Sequence, residues 1–371
     1  MRSRAAVLFD SPGRYEVVDV QVDDPREHEV LVRYVASGLC HSDVHLLDGS
    51  HVGPMPFAAG HEGAGVVEAV GPGVSSLRPG DHVVASFIPS CGRCRYCASG
   101  RTNLCQLGAH LQLGPFPDGT YRMHHAGRDL HQFLLISTFA EHAVVSETSL
   151  VRIPDDVPLD TVCLLGCGVG TGFGSAVNAA DVRPGDNVVV VGAGGVGSSA
   201  VQGASIAGAA TVVAVDPEPF KREMAELLGA THTFADMAEA TDFVRSISDG
   251  QGADSAILTM GQVTNADVGE AFEAIGKGGT VVVTSMAAMA EPAAIPVHLL
   301  MLAGMQKTIT SALFGMCSPP VDILRQIDLY RAGKLKLDEM ITRRYPLDDV
   351  NVAVEDLLEG RNIRGVVVHG T

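Results

Sequence analysis

The chain is 371 residues long, enough for about two domains, each with its own hydrophobic core. Acidic residues outnumber basic residues by 43 to 26, which gives a formal net charge of −17. Such a charge repels nucleic-acid phosphates and anionic membrane surfaces, so we expect neither as a partner. Apolar residues make up 46% of the chain and charged residues 19%, a composition that excludes an intrinsically disordered protein.

The N-terminal segment MRSRAAVLFDSPGRYEV lacks the apolar core of a signal peptide. The uncharged stretch from Val188 to Val215 is interrupted by glycine, serine and glutamine, so it indicates a strand, a turn, a helix and a second strand. We therefore expect a cytoplasmic protein without a membrane partner. In that reducing compartment, eight cysteines favour metal ligation or chemistry over disulfides.

The order of predicted elements indicates two kinds of domain. From Ala5 to about Val151, short β-branched runs such as EVLVRYVASG alternate with Gly, Pro and Asp, which predicts a compact β-rich domain. Small residues over Val162–Ala180 predict a helix. From Asn187 onward, strands such as NVVVVGAGG alternate with helical stretches, which predicts a parallel sheet covered on both faces. A helix over 321–332 and a strand over 365–369 follow.

Four cysteines lie close together in a polar loop: Cys91, Cys94, Cys97 and Cys105. A loop of this composition cannot fold by burying apolar surface, whereas tetrahedral coordination of zinc by thiolates can hold it. A site whose four positions are all filled by the protein has no room for a substrate. We therefore predict a structural zinc, with a redox dithiol or an iron–sulfur site as the alternative.

Three further candidate ligands are scattered along the chain, namely Cys40 in GLCHSD, His61 in GHEGAG and Cys167 in LLGCGVGTG. Two thiolates and one imidazole, with the fourth position open, are a known catalytic zinc set. Each cysteine taken alone is equally typical of a buried apolar residue. Two neighbours favour ligation. Glu62 can support the ligands without binding the metal or can bind it transiently, and Asp43 can orient the imidazole.

A glycine-rich turn follows the strand that ends at Val191, and a small-residue helix follows the turn. This G-x-G-x-x-G segment comprises Gly192, Ala193, Gly194, Gly195, Val196 and Gly197. Its glycines permit the turn, the approach of a pyrophosphate to the backbone and close helix packing. The next strand ends at Asp216, whose carboxylate would accept hydrogen bonds from the ribose hydroxyls of NAD and repel a 2′-phosphate. We therefore predict NAD(H), with Lys221 near the ribose; a turn without a ligand is the alternative.

Two cysteines and a group of histidines stand outside these motifs. Cys163 and Cys317 lack ligand-like neighbours and are expected in the hydrophobic core. The histidines crowd the segment 110–131, where a solvated lid or a subunit contact is favoured over a third metal site. They are His110, His124, His125 and His131.

Together these motifs resemble the zinc-dependent medium-chain alcohol dehydrogenase family, and most closely its actinobacterial, NDMA-dependent nicotinoprotein branch. The resemblance covers nearly the whole chain, through GLCHSD, GHEGAG, the four cysteines, GCGVGTGFGSAVN, GAGGVG and RNIRGVV. It implies an α/β fold with two domains. A GroES-like, β-rich catalytic domain would cover residues 1–168 and 314–371, with a structural-zinc lobe at 91–105. A Rossmann domain with a doubly wound parallel sheet would cover 169–313.

The resemblance also implies two Zn²⁺ ions per chain and a route for the proton. Cys40, His61 and Cys167 match the ligands of the family's catalytic zinc, and the four clustered cysteines match those of its structural zinc. Ser42 matches the hydroxyl that bonds the substrate oxygen. His45 matches the outer end of the proton relay.

Further residues match positions that contact the cofactor and the alcohol. Thr171 matches a position beside the nicotinamide, and His41 and Arg364 match two cationic contacts of the pyrophosphate. The family often has arginine in place of His41, so we expect a weaker or pH-dependent charge at the pyrophosphate. Phe87 and Phe139 match positions that line the alcohol pocket, with ordinary core packing as the alternative for each.

The implied activity is the reversible oxidation of a primary alcohol to an aldehyde by hydride transfer to NAD. In the nicotinoprotein branch NAD(H) stays bound, and the electrons leave to a separate acceptor such as the redox peptide mycofactocin. A homodimer or homotetramer is implied. The alternatives are a glutathione-independent formaldehyde or aldehyde dehydrogenase or dismutase of the same family, and a zinc-stabilised scaffold without activity.

Overall fold

The computed structural model describes residues 1–50, 53–287 and 294–370. By their contacts these form two compact units. The first comprises Met1–Cys167, Ser318–Gly333 and the segment from Leu337, and the second comprises Gly168–Cys317 and Lys334–Lys336. The domain boundaries predicted from the sequence lie after residues 168 and 313. The predicted domains also include residues 51–52, 288–293 and 371, which lie outside the described residues.

The described residues of the two units contain eighteen strands. They are β1 (Arg2–Leu8), β2 (Glu16–Val22), β3 (Glu29–Gly38), β4 (Phe57–Ala58), β5 (Glu62–Val70), β6 (His82–Ala85), β7 (Met123–His125), β8 (Arg128–Gln132), β9 (His142–Ser146), β10 (Leu150–Ile153), β11 (Asn187–Val191), β12 (Thr211–Val215), β13 (His232–Phe234), β14 (Ala253–Leu258), β15 (Ile275–Val283), β16 (Thr308–Ser311), β17 (Ile341–Pro346) and β18 (Arg364–Val368).

The helices are distributed over both units. They are α1 (His41–Leu47), α2 (Arg95–Ala98), α3 (Leu159–Val162), α4 (Gly168–Gly174), α5 (Gly195–Ala207), α6 (Pro219–Leu227), α7 (Met237–Ile247), α8 (Asn265–Ala274), α9 (Leu299–Gly304), α10 (Pro319–Arg331) and α11 (Val350–Leu358). Short 3₁₀ turns include Thr102–Leu104, Gln106–His110, Phe133–Leu135 and Cys163–Gly166. The termini of the α-helices follow ordinary capping rules. Pro219 is the first residue of α6, and α5 is capped at its C-terminus by Gly208 in the left-handed conformation.

In the first unit, strands β1, β2, β7, β8 and β4 close a barrel. A seven-stranded sheet runs in the order β10-β6-β5-β3-β18-β17, with β9 also paired to β3. Strand β3 is paired along both edges, because β5 covers one edge and β9 and β18 share the other. Its sequence EVLVRYVASG supplies the buried apolar side chains that such a central position needs.

The second unit contains a six-stranded parallel sheet in the order β13-β12-β11-β14-β15-β16. This is the strand order of doubly wound dinucleotide-binding sheets. The four valines of the central strand β11 are all buried, as in parallel sheets covered on both faces. Helix α5 approaches α4 so closely that a Cβ on Gly172 would lie 1.9 Å from the carbonyl oxygen of Val196. The predicted α/β fold class is confirmed.

The helix predicted over Val162–Ala180 is interrupted in the structure. The segment is divided into the end of α3, a 3₁₀ turn, α4 and a π-helical turn over Ser175–Ala179. The break falls at Cys167, whose φ of −149° and ψ of −77° are not helical. Glycines on both sides of Cys167 weaken helix propensity, so the backbone can leave the helix there. Among the described residues, length and apolar composition rule out every single helix as a membrane span, although the bent pair Leu159–Gly166 and Gly168–Ala179 meets both criteria.

Candidate functional site

Four residues of the first unit form what we call the mixed-ligand cluster: Cys40, His61, Glu62 and Cys167. One ligand atom of each lies within 4.8 Å of the others. Gly38 of β3 pairs with Glu62 of β5, so Cys40 and His61, which stand just outside those strands, are brought together. A Cβ at Gly38 would lie 2.3 Å from a carboxylate oxygen of Glu62, so the close approach requires glycine.

The imidazole of His61 is oriented by Asp43. Nδ1 of His61 lies 2.9 Å from Oδ1 of Asp43, and the two side chains are 1% and 0% exposed. The second oxygen of Asp43 accepts a hydrogen bond from the backbone N–H of Cys40 at 3.1 Å. Nε2 of His61 is buried and has no hydrogen-bond partner among the described residues. Because an unpaired buried nitrogen is costly, this atom and the adjacent thiols suit a metal ion.

The electrostatics of the mixed-ligand cluster favour a positive charge at its centre. The Cys167 thiol and the His61 imidazole hold the pKa of Cys40 well below its ordinary value. Contact with Cys40, together with burial, raises the pKa of Cys167. Burial opposes protonation of His61, but the carboxylate of Asp43 outweighs it and raises the pKa of the imidazole. A divalent cation would supply the positive charge that these groups favour.

Arg364 adds an unexpected partner to the mixed-ligand cluster. The resemblance predicts a pyrophosphate contact for this residue, but its Nη2 donates to Oε2 of Glu62 in a buried ion pair. Burial raises the pKa of Glu62 to about 7, and Arg364 opposes the shift. Strand β18 brings Arg364 to Glu62 because it pairs with β3 at Gly38. A pairing across 302 residues has no local signal in the sequence.

Two aromatic rings stand edge-on to His61. The ring centroid of Phe87 lies 6.1 Å from that of His61, and the centroid of Phe133 lies 5.4 Å from it. Phe139, the other predicted pocket residue, is fully buried in the core against Tyr15. Sequence reasoning missed Phe133, whose orientation depends on the 3₁₀ turn that follows β8.

Helix α1 carries the predicted proton route. Oγ of Ser42 lies 3.9 Å from Sγ of Cys40, and His45 lies one helical turn further along. His45 is buried, and its Nδ1 contacts Oγ of Ser50 at 3.1 Å. The ring of His41, at the start of the helix, lies 6.4 Å from that of His45. Ser42 therefore lies beside the mixed-ligand cluster, and His45 lies one helical turn beyond Ser42.

The second candidate metal site is the four-cysteine lobe, defined by Cys91, Cys94, Cys97 and Cys105. The four Sγ atoms lie within 4.8 Å of one another. The backbone N–H of Cys94 donates to Sγ of Cys91 at 3.4 Å, and that of Cys97 donates to Sγ of Cys94 at 3.5 Å. The latter bond lowers the pKa of Cys94 to about 6. Four convergent sulfurs, held by backbone donors, are the donor set of a structural zinc site.

In the second unit, the glycine turn forms a cradle at the start of α5. Gly192 has a φ of +88°, and a Cβ on Gly197 would lie 1.7 Å from the carbonyl oxygen of Gly192. A Cβ on Gly194, the N-cap, would meet no atom within 4 Å. The open space therefore lies over the N-terminus of a 13-residue helix that begins with Gly195 and Val196. Such a terminus suits the pyrophosphate of a dinucleotide.

Asp216 stands at the end of β12 beside this cradle. One carboxylate oxygen accepts from the backbone N–H of Ala193 at 2.8 Å, and the other accepts from that of Glu218 at 3.0 Å. Lys221 lies on α6, two residues after its start. Thr171 lies on α4, where its carbonyl oxygen accepts from Oγ of Ser175. The cradle and its carboxylate suit a nicotinamide dinucleotide.

The histidines of 110–131 do not converge. The ring of His124 contacts Asp129 at 2.8 Å and Asp23 at 3.3 Å. His125 contacts a backbone carbonyl, and His131 packs edge-on against a tyrosine. Across residues 1–50, 53–287 and 294–370, the only groups that could hold a metal are the mixed-ligand cluster and the four-cysteine lobe.

Comparison with known proteins finds related dehydrogenases. The family model described as "Alcohol dehydrogenase GroES-like domain" matches residues 26–155, and the one described as "Zinc-binding dehydrogenase" matches residues 195–327. The chain is 51% identical to an NDMA-dependent alcohol dehydrogenase of Amycolatopsis methanolica, over 100% of this chain and 99% of that protein.

Two crystal structures have the same fold over their full lengths. An alcohol dehydrogenase zinc-binding domain protein from Burkholderia ambifaria superposes with a TM-score of 0.93 at 35% identity, over 100% of both chains. The benzyl alcohol dehydrogenase of Acinetobacter calcoaceticus superposes with a TM-score of 0.91 at 32% identity, again over 100% of both chains. The family implies zinc and a nicotinamide cofactor. The chain belongs to the zinc-dependent medium-chain alcohol dehydrogenase family and is an alcohol oxidoreductase.

Proposed function

We propose that the protein oxidises primary alcohols reversibly to aldehydes by hydride transfer to NAD, with a catalytic zinc on Cys40, His61 and Cys167. One observation carries this proposal. The buried Nε2 of His61 has no hydrogen-bond partner and faces two thiols, while Asp43 fixes the other ring nitrogen. Three ligands of this kind leave the fourth zinc position for the oxygen of an alcohol.

Zinc at the mixed-ligand cluster would lower the pKa of a bound alcohol towards neutrality, as it lowers that of water. The residues of α1 then remove the proton. With zinc and cofactor bound, the Ser42 hydroxyl would accept the proton of the alcohol while it releases its own, and His45 would be the outer group that receives the released proton. Phe87 and Phe133, edge-on to His61, exclude water from the reacting oxygen.

Glu62 is the candidate for a transient fourth ligand. Its carboxylate lies within reach of the three other ligand atoms, and Arg364 holds one of its oxygens. The guanidinium compensates the buried negative charge, so the carboxylate can stay beside the metal without occupying the position that the alcohol needs.

The second unit supplies the cofactor site of this proposal. Gly194 at the N-terminus of α5 would hold the pyrophosphate, and Asp216 would accept hydrogen bonds from the ribose hydroxyls, which favours NAD over NADP. Lys221 assists at the ribose, and Thr171 borders the nicotinamide. His41 and Arg364 are the proposed cationic contacts of the pyrophosphate. The nicotinamide ring supplies the hydride acceptor.

A second zinc on the four-cysteine lobe would hold that loop in shape, which gives two zinc ions per chain.

The relative from Amycolatopsis methanolica is named for its dependence on NDMA, which supports a tightly bound NAD(H) that is re-oxidised by an external acceptor such as a mycofactocin-like compound. We further propose a homodimer or homotetramer. All eight cysteines are free of disulfides, which suits the reducing cytoplasm.

The fate of the cofactor tests this function. Protein from gel filtration is denatured, and the released nucleotide and zinc are assayed. We expect near one NAD(H) and two zinc ions per chain, and multiple turnovers of a primary alcohol only when NDMA is present. Nucleotide-free protein that free NAD activates would instead indicate an ordinary exchanging alcohol dehydrogenase. Conversion of an aldehyde to equal amounts of acid and alcohol without an acceptor would indicate the dismutase alternative.

A further inference from the structure

Asp216, directly after β12, is held by its backbone as well as by its carboxylate. Besides the two backbone donors at the carboxylate, the N–H of Asp216 donates to the carbonyl oxygen of Phe234 at 3.1 Å. Its own carbonyl oxygen accepts from Nη1 of Arg222 at 2.7 Å. The residue is 4% exposed. Every polar group of Asp216, in backbone and side chain, is therefore bound.

Arg222 is the only side chain in this set of contacts. It lies on α6, is half-buried, and donates from the same Nη1 to the carbonyl oxygen of Pro217 at 2.8 Å. Both of its acceptors are backbone carbonyls of the turn between β12 and α6. None of the ion pairs in the described part of the chain joins its guanidinium to the carboxylate of Asp216. A carboxylate has about four acceptor sites, so after two backbone bonds it keeps the capacity to accept two ribose hydroxyls.

The geometry assigns Arg222 a role as a positioning residue for the cofactor ribose: it fixes the turn through the carbonyls of Asp216 and Pro217, and so aims the Asp216 carboxylate. This inference rests on the proposed function, in which that carboxylate binds the ribose. A carboxylate that is already oriented loses less conformational freedom when it binds a ligand. Without Arg222 the backbone turn gains freedom, and part of the affinity for a dinucleotide with a free 2′-hydroxyl is lost.

The test compares Arg222→Met with Arg245→Met. Arg245 is a matched control, because it donates to the backbone carbonyl of Glu273 at 2.9 Å from helix α7 of the same unit and contacts neither the glycine turn nor Asp216. Full-length protein is freed of nucleotide with charcoal, and the Kd values of NADH and NADPH are measured by fluorescence titration. We expect Arg222→Met to raise the Kd of NADH about tenfold, the loss that one or two hydrogen bonds produce.

The ratio of the Kd of NADPH to the Kd of NADH measures the preference for NADH, and it separates a positioning role from a purely structural one. NADPH gains little from Asp216, so its Kd should change less and the preference for NADH should shrink. Arg222→Lys, which keeps one donor near the carbonyls, should restore part of the preference, and Arg245→Met should leave it unchanged. If Arg222→Met does not fold, Arg222→Lys is judged by the same ratio, with an intermediate value expected.

Two results would overturn the inference. One is an unchanged ratio in a folded Arg222→Met protein. The other is a larger loss for NADPH than for NADH, because Arg222 would then act as a direct contact of the 2′-phosphate. Asp216→Ala, measured in parallel, keeps the two proposals apart. If Asp216→Ala also leaves the preference for NADH unchanged, the ribose role of Asp216 fails. If Asp216→Ala reduces that preference and Arg222→Met does not, only the role of Arg222 fails.

Discussion

The two candidate metal sites of the first unit are built in opposite ways. The four-cysteine lobe takes all its ligands from one short polar stretch, and three of its four cysteines are half-exposed. The mixed-ligand cluster takes its ligands from three separate segments, around β3, β5 and the break before α4, and all of them are buried. One site organises a loop that has no core of its own, whereas the other exists only after a sheet has formed.

The same contrast extends to the surroundings of the ligands. In the four-cysteine lobe the supporting hydrogen bonds come from backbone N–H groups of the loop itself. In the mixed-ligand cluster they come from Asp43, and a fourth group, Glu62, is held by an arginine instead of being committed to the ligand set. A closed set of four thiols suits a structural ion, and three ligands with an adjustable neighbour suit a reactive one.

The largest expected effect follows from removing a ligand of the mixed-ligand cluster. Cys40→Ala or Cys167→Ala should lower kcat/KM for a primary alcohol by a factor on the order of a thousand or more, because a Lewis-acid metal contributes several kcal/mol to the transition state. The fold should persist, since β3 and β5 pair without the metal. Steady-state assays with NDMA and zinc analysis measure this effect. Cys163→Ala, in the adjacent 3₁₀ turn and outside both sites, is the control. Full activity with only one zinc per chain would refute the catalytic assignment.

Removing a ligand of the four-cysteine lobe should change stability instead. Cys94→Ala should lower Tm by about 10 °C and reduce the soluble yield, because coordination replaces the core that this loop lacks. Differential scanning calorimetry measures the shift. Ser99→Ala, an exposed substitution in the same loop, should leave Tm nearly unchanged. An unaltered Tm in Cys94→Ala would mean that the lobe holds its shape without a metal.

A smaller effect is expected from the carboxylate that orients His61. Asp43→Asn keeps the size of the side chain but removes its charge, and should reduce zinc affinity or activity by about 10- to 100-fold. Competition with a zinc chelator, followed by activity assays, measures both quantities. Glu68→Gln removes a carboxylate of β5 that pairs with Arg33 and His142 away from the mixed-ligand cluster, and should have no effect on either quantity. Equal resistance of Asp43→Asn and the parent protein to the chelator would show that the imidazole needs no orienting charge.

The smallest effect concerns the proton route along α1. His45→Ala should slow alcohol oxidation about tenfold at low pH and little at high pH, where hydroxide is abundant enough to take the proton. The pH profile of kcat measures the effect, and added imidazole buffer should restore part of the rate. A profile identical to that of the parent protein would remove His45 from the route.

The features that the sequence predicts are those carried by short, local patterns. The family and the α/β fold class are confirmed, because the glycine turn and the strand-helix alternation each lie within one continuous stretch. Long-range pairing escapes such reasoning. The contact of Arg364 with Glu62 depends on β18 pairing with β3, and the position of Phe133 beside His61 depends on a turn whose direction no spacing rule fixes.

Prediction from local sequence patterns also fails where the backbone leaves a regular helical conformation at a single residue. The sequence around Cys167 is rich in small residues and predicts one continuous helix, but the structure interrupts the helix at the thiol. Arg222 shows the same limit, since six residues separate it from the carbonyl of Asp216 that it binds, and only the geometry of the turn reveals the contact.

The buried pair of Glu62 and Arg364 also sets the order in which the enzyme can mature. A ribosome that has just released Glu62 must still translate the entire second unit, Gly168–Cys317, before Arg364 exists. Until then the carboxylate has no guanidinium to compensate its charge, and burying it uncompensated is costly. We therefore expect the nascent mixed-ligand cluster to stay hydrated during synthesis, whereas the contiguous thiols of the four-cysteine lobe could bind a metal as soon as Cys105 leaves the exit tunnel.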